Sequence, residues 1–252
     1  MPRYARKKSE SGIFHVMLRG INKQTIFEDD EDRERFVDTI ERYKAISKYK
    51  VYGYCLMSNH IHLLLKETEE TISNVIKRIS SSYVYWYNWK YGRCGHLFQE
   101  RYKSEIVENE AYLLTVLRYI HQNPVKAGLS INVQDYKWTS YYEYIKKPII
   151  TEIDFTLQIF SINREKAIVL FNEHTNEQND DKCMDYDEKI RISDNEVREY
   201  IAKLGPQSTS ELQQLDREKR NEIIRKLKAI ECITIRQLSR ITGISKSVID
   251  RI

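Results

Sequence analysis

Apolar and polar positions alternate from Ile13 to Arg19, with Phe14, Val16 and Leu18 on one side and Ile13, His15 and Met17 on the other, and Gly20 closes the run. A period of two predicts a β-strand; His15 reads as a structural residue of it. From about Asp29 to Lys48 the period lengthens: Phe36, Val37, Ile40 and Tyr43 recur at helical spacing behind an acidic first turn, which the helix macrodipole favours. The strand pattern returns over Val51–Met57, and Ser58-Asn59 turns it into a second strand, His60–Lys66, as a hairpin. Ile72, Val75, Ile76, Ile79, Tyr83, Trp86 and Tyr87 then mark one face of a long helix ending near Tyr91, with Tyr85 and Trp89 off the stripe. A strand-like stretch covers Leu97–Val107, and a helix from about Glu110 to Asn123 is expected to stop at Pro124. The order β-α-β-β-α-β plus a helix predicts an α+β, ferredoxin-like split βαβ domain, with helices on one sheet face and the other face left for a site.

Beyond Gly128 the pattern loosens through an aromatic run, Tyr136 to Tyr142, that reads as packing, and a short helix is expected around Arg164–His174. Residues 176–189 are polar, acidic and poor in aliphatics, the make-up of a linker. Helical patterns resume at Glu196–Lys203, Ser208–Gln213 and Asp216–Glu231, with Gly205-Pro206 as a break. The last stretch, Thr234 to Ile249, holds a helix, a turn at Gly243 and Ser245 as N-cap of a second helix, which reads as a helix-turn-helix. Ser245, Lys246 and Ser247 would stand at the base-contacting end of its recognition helix. The chain thus divides into an α+β domain over 1–147, a helical extension and acidic linker over 148–192, and an all-α module over 193–252.

Charge sharpens this division. The net charge is +6 over residues 1–150, −6 over 151–195 and +4 over 196–252. Two basic blocks around an acidic spacer suit a polyanion as partner. Residues 71–104 concentrate Lys77, Arg78, Lys90, Arg93, Arg101 and Lys103 against the single acid Glu100, and Tyr85, Trp89 and Tyr91 interleave with them as stacking surfaces for single-stranded bases. Cys55, Cys94, Cys183 and Cys232 form no CxxC pair, so neither a zinc knuckle nor a disulfide framework is indicated. No apolar run approaches membrane-spanning length, and the basic N-terminus leads into no apolar segment; the expected setting is cytoplasmic and nucleoid-associated, with no membrane partner.

The candidate chemistry begins in the hairpin. His60, His62 and Leu64 share one strand face, and Ile61, Leu63 and Leu65 make a purely aliphatic opposite face. Two imidazoles roughly 7 Å apart at Cα are half of a metal site, imidazole being the commonest protein metal ligand. Two histidines hydrogen-bonded on a half-exposed strand are the competing structural explanation. In the helix before Pro124 the core stripe is Leu113, Val116, Leu117 and Ile120, so Tyr119 and Asn123, four residues apart, share one flank at its edge.

Ser58-Asn59-His60-Ile61-His62-Leu63-Leu64, Gly95 to Ser104 (GHLFQERYKS) and Tyr119 to Leu129 (YIHQNPVKAGL), with His15 to Lys23 (HVMLRGINK) and the Phe27–Phe36 segment before them, resemble the HUH tyrosine transposases, most closely their REP-associated branch. The resemblance runs from about Gly12 to Tyr144 and makes 1–147 a catalytic domain. It implies single-stranded DNA cleavage and strand transfer by one tyrosine through a 5′-phosphotyrosine. By that likeness Tyr119 is the nucleophile, His60 and His62 are metal ligands, and Asn123 fills the position of an amide ligand, where family members often carry glutamine. The implied cofactor is a divalent metal, Mg²⁺ or Mn²⁺. Those ions prefer oxygen, so the Asn123 oxygen, water and substrate phosphate would complete a set to which the imidazoles bring nitrogen.

DNA contacts are assigned to Arg19, Lys90, Arg93, Arg101 and Lys103, and in the C-terminal module to Ser245, Lys246 and Ser247. The expected partners are single-stranded DNA with hairpin-forming repeats and, through the C-terminal module, double-stranded DNA; the chain itself would be a monomer or homodimer. Two other readings use the same residues: a catalytically silent DNA-binding regulator of the same fold, and a metal-dependent phosphodiesterase with water as nucleophile.

Overall fold

The computed structural model describes residues 8–185, 194–206, 208–230 and 233–252. The chain divides into two compact units, Met1–Asp185 and Tyr186–Ile252. In the first, strands β1 (Ile13–Arg19), β2 (Lys50–Leu56), β3 (His60–Lys66) and β4 (Lys103–Ile106) form an antiparallel sheet in the order β2-β3-β1-β4. Helix α1 (Asp30–Ser47) joins β1 to β2, and helix α2 (Ile72–Lys90) joins β3 to β4. This is the split βαβ topology expected from the periodicity.

Strands β1, β2 and β3 bury both faces, for different reasons, while β4 is half-buried throughout. Phe14, Val16 and Leu18 of β1 and Ile61, Leu63 and Leu65 of β3 pack with Phe36 and Ile40 of α1 and the Ile72, Val75, Ile76, Ile79, Tyr83 and Tyr87 stripe of α2. Burying a side chain of this size contributes about 1.5–3 kcal/mol, so this aliphatic side anchors the sheet. Helix α1 starts at a capping box, with Asp29 accepting from the Asp32 N–H, and ends on Lys48 in the left-handed conformation.

Helix α3 (Glu110–Lys126) covers the opposite face over β2 and β3, and the site lies beneath it. Leu113, Val116, Leu117 and Ile120 pack with Ile13, Cys55 and Leu64, and the layer is completed by α4 (Tyr141–Ile145), α5 (Ile153–Phe160) and α6 (Arg164–Asn176). Gly53 of β2 permits the approach: a Cβ there would stand 2.6 Å from Leu117 Cδ1.

Four features differ from the sequence expectation. Helix α3 runs through Pro124 to Lys126, because a proline so near the end removes one hydrogen bond while Ala127 N–H and Leu129 N–H still bond the carbonyls of Asn123 and Pro124. Of the Leu97–Val107 stretch only β4 pairs as a strand; Glu100, at φ 54°, breaks the extended run, and Phe98 makes an isolated bridge to Gly20. Helices α4 and α5 were not expected, being too short to display a period. The described part of the extension, 148–185, is integral to the first unit, since α5 and α6 supply its second core.

The second unit holds α7 (Asp194–Lys203), α8 (Thr209–Gln214), α9 (Arg217–Lys228), α10 (Ile235–Thr242) and α11 (Lys246–Arg251) around Val197, Ile201, Leu212, Ile224, Leu227, Leu238, Ile241 and Ile249. Gly243 ends α10 at φ 71°, and a Cβ on it would meet Gln213 Nε2 at 2.5 Å. No helix among the described residues is long and apolar enough to cross a membrane. Cys55, Cys94 and Cys183 are free thiols, and Cys232 lies outside the described residues.

Candidate active site

The site is built where β3 passes under α3. The strand directs His60 and His62 to the α3 side, and one turn of helix separates Tyr119 from Asn123, so both reach the histidines from above. The rings of His60 and His62 lie 5.0 Å apart between centroids, and the Tyr119 ring is 5.7 Å from His62. The Asn123 amide lies between the histidines, with Oδ1 3.4 Å from His60 Nε2 and Nδ2 3.3 Å from His62 Nε2. Tyr119, Asn123 and His62 are buried and His60 is half-buried.

Burial sets the electrostatics. It drives His62 well below the usual imidazole range, with His15 and His60 adding to the effect, and it lowers His60 against the opposing pull of Asp185. Both rings are therefore neutral near pH 7 and carry a lone pair each. Tyr119 is pushed up, first by burial and then by the Asp185 carboxylate, which accepts its phenol hydrogen bond at 2.9 Å. The phenol is thus held in its neutral form.

These residues fit a divalent metal. Asn59 Oδ1 lies 2.7 Å from His60 Nδ1; an amide oxygen only accepts, so Nδ1 carries the proton and Nε2 is bare. His60 Nε2 and Asn123 Oδ1 then face each other as two acceptors, an arrangement a shared cation stabilises. No group of three His, Cys, Asp or Glu able to hold a metal occurs among the described residues. Two imidazoles and one amide oxygen leave room for water and phosphate oxygens.

Three residues at the site carried no functional signal in the sequence. His15, fully buried on β1, touches both Glu105 of β4 and His62, and Asp185 belongs to the acidic stretch read as a linker. That stretch returns across α3: Arg118 pairs with Asp181 and Glu177, and Met184 N–H donates to Glu105. A carboxylate found by a chain segment of polar composition leaves no periodic trace, and His15 and Glu105 become neighbours only through the β1–β4 register.

The residues assigned to DNA divide into groups. Arg19 lies opposite His60 in the β1–β3 ladder, half-buried at the rim of the site. Lys103 starts β4, with Nζ 3.5 Å from the Asp185 carbonyl, and Arg101 is exposed just before it. Arg93 is exposed and donates to Gln24. Lys90 differs: it is held by Asp29, Glu31 and Asp32 at the start of α1, so its charge is spent inside the protein. Tyr85 and Trp89 are 79% and 76% exposed, whereas Tyr91 packs on Tyr87 and hydrogen-bonds Asp32. In the second unit Ser245, Lys246 and Ser247 are all exposed at the start of α11.

Comparison with known proteins gives this geometry a context. A protein of Haemophilus influenzae named as a REP-associated tyrosine transposase is 24% identical over 167 residues, spanning 60% of this chain and 92% of its own. A REP-associated tyrosine transposase solved bound to a REP hairpin superposes with a TM-score of 0.50 at 17% identity, over 57% of this chain and 86% of its own, a likeness of fold. The family described as "Transposase IS200 like" matches residues 8–123, a span that contains both histidines and ends on the Tyr119–Asn123 pair. Residues 8–123, somewhat less than half of the chain, are therefore similar to the transposases of the IS200-like family.

Proposed function

We propose that the first unit is a metal-dependent single-stranded DNA endonuclease and strand transferase that works through a 5′-phosphotyrosine, and that its substrate is hairpin-forming repeat DNA of the REP kind. The observation that carries this reading is the meeting of Tyr119 and Asn123 on one helix with His60 and His62 on one strand, all at hydrogen-bonding or ring-contact distance. The relative bound to a REP hairpin supports the substrate class.

His60, His62 and Asn123 would hold Mg²⁺ or Mn²⁺, which when bound supplies Lewis-acid polarisation of the scissile phosphate. Tyr119 Oη attacks phosphorus in line, the bond to the 3′ oxygen breaks, and the departing oxygen takes up a proton to become a free 3′-hydroxyl. The phenol proton leaves as the Tyr119 oxygen–phosphorus bond forms. Attack by a 3′-hydroxyl on the phosphotyrosine reverses these bonds and regenerates the phenol, so one residue serves both cleavage and joining. Arg19, Arg93, Arg101 and Lys103 supply cationic contacts to the strand, and exposed Tyr85 and Trp89 supply stacking faces. The second unit, through Ser245, Lys246 and Ser247 of α11, adds a contact to duplex DNA.

The test is covalent trapping on a single-stranded hairpin oligonucleotide with Mn²⁺. The adduct should map to the peptide containing Arg118, Tyr119 and Ile120, and Tyr119→Phe should bind the oligonucleotide but form none. Cleavage at a normal rate by Tyr119→Phe would favour the water-using phosphodiesterase. Binding without cleavage by the unaltered chain would favour the silent regulator.

A further inference from the structure

We infer that Glu105 and His15 are positioning residues for His62: the three side chains form one chain of hydrogen bonds across β4, β1 and β3 that fixes His62 as the tautomer whose bare Nε2 faces Asn123. Glu105 Oε1 is 2.7 Å from His15 Nδ1, and His15 Nε2 is 2.9 Å from His62 Nδ1. The register makes this possible. His15 and Glu105 are direct cross-strand partners, while His62 stands opposite Met17, diagonal to His15 on the same sheet face.

The direction of the chain is set from its carboxylate end. Glu105 can only accept, so the proton between it and His15 sits on His15 Nδ1. A neutral His15 then has a bare Nε2, which accepts from His62 Nδ1–H. The lone pair of His62 is left on Nε2, the atom 3.3 Å from the donor nitrogen of Asn123. The reverse assignment fails at both ends: it sets a bare His15 Nδ1 against a carboxylate oxygen, and it turns His62 Nε2 into a donor facing a donor. A doubly protonated His15 avoids the first conflict but keeps the second. His62 is fully buried, and among the described residues the partner of its Nδ1 is His15.

This arrangement extends the carboxylate–histidine–metal pattern by one imidazole, so that a carboxylate on the sheet edge governs a ligand two strands away. The inference rests on the proposed metal role of His62, but the tautomer can be read without metal or DNA. The experiment is long-range ¹H–¹⁵N NMR on full-length protein with ¹⁵N-labelled histidine in chelator, the His62 signals being assigned by comparison with His62→Ala. Mn²⁺ binding is followed in parallel by electron paramagnetic resonance. In the unaltered protein His62 should show a protonated Nδ1 and a bare Nε2. Glu105→Gln is isosteric, and with its amide nitrogen turned to His15 it donates where one carboxylate oxygen had accepted from both His15 and the Met184 N–H; this variant, and His15→Phe, should show a second His62 tautomer and bind Mn²⁺ about 10–100-fold more weakly. A protonated Nε2 on His62 in the unaltered protein overturns the inference, whether or not the variants fold. So does a folded Glu105→Gln protein with an unchanged tautomer and unchanged Mn²⁺ affinity. Failure of the unaltered protein to bind Mn²⁺ at all would instead count against the proposed function.

Discussion

Tyr119 Oη donates a 2.9 Å hydrogen bond to the carboxylate of Asp185, so the phenol is occupied by a chain segment that lies 66 residues away in sequence. For the proposed reaction, a phosphodiester at Tyr119 would face this carboxylate, like charge against like. A hydrogen bond to a charged acceptor contributes about 1.5–3 kcal/mol, so Asp185→Ala should accelerate adduct formation on a hairpin oligonucleotide by about 10–150-fold. The same variant should lower the titration point of Tyr119, seen as the difference spectrum against Tyr119→Phe, because one of the two main causes of its upward shift is gone. An unchanged adduct rate would mean that Asp185 leaves the phenol before the substrate arrives.

His60→Ala and His62→Ala should abolish cleavage in Mg²⁺ or Mn²⁺ while leaving the urea midpoint within about 1 kcal/mol of the unaltered protein, since the aliphatic face of β3 is untouched. Full activity in EDTA would remove the metal from the mechanism.

His121 gives the fold a pH dependence separate from catalysis. It is fully buried among Tyr141, Tyr144 and Phe171, bonds Ser140 Oγ at 2.8 Å, and is depressed by burial to about 3. Between the unfolded value near 6.5 and the folded value, the unfolded chain binds a proton that the folded chain refuses. Its contribution is therefore complete above about pH 6.5 and lost as the pH falls, by about 1.4 kcal/mol per pH unit. Urea unfolding from pH 7 to pH 5 should show this slope. His121→Phe should lower the slope by that amount and leave the share of the buried His62.

Gly20→Ala should destabilise the first unit by about 1–3 kcal/mol. An added Cβ would fall on the Gln24 carbonyl oxygen and within 2.9 Å of Ile26 Cγ2, and the Gly20 N–H holds the carbonyl of Asn59 beside His60. Urea unfolding measures the first effect, and loss of Mn²⁺ affinity would show that the strain reaches the ligand.

For the second unit, duplex DNA titrated against residues 194–252 at several salt concentrations should show affinity falling with salt, as counterion release requires. Exchange of Lys246 for Ala should reduce that slope by about one unit. Absence of binding at low salt would leave α10 and α11 as a plain helical hairpin.

What could be read from the chain in advance follows from the range of the signals. His60 and His62 share a face because strands repeat every two residues, and Tyr119 and Asn123 share a flank because helices return after about four. Both relations are local, and both hold in the structure. The meeting of the two pairs is not local; the expected fold pointed to it, but only the packing of α3 on β2 and β3 brings it about. Glu105 depended on a register no periodicity encodes, and Asp185 on the return of a polar segment whose composition suits a linker equally well. Pro124 misled for an opposite reason: its rule describes helix interiors, and one turn from the end a helix tolerates the missing donor.

The four-residue length of β4 has a kinetic meaning for the site. This strand lies at the sheet edge, every residue of it half-buried, and it is paired on one side only, with β1. Edge strands of this kind open by local fraying well before the molecule unfolds, and their amides exchange with solvent accordingly. Glu105 rides on that strand, whereas His62 sits on β3, paired on both sides. An opening of the edge would release the carboxylate that holds His15, and with it the orientation inferred for His62. For the proposed metal role of His62, the readiness of the ligand would be timed by the breathing of this short strand, and hydrogen exchange at Ser104 and Glu105 is the clock by which to measure it.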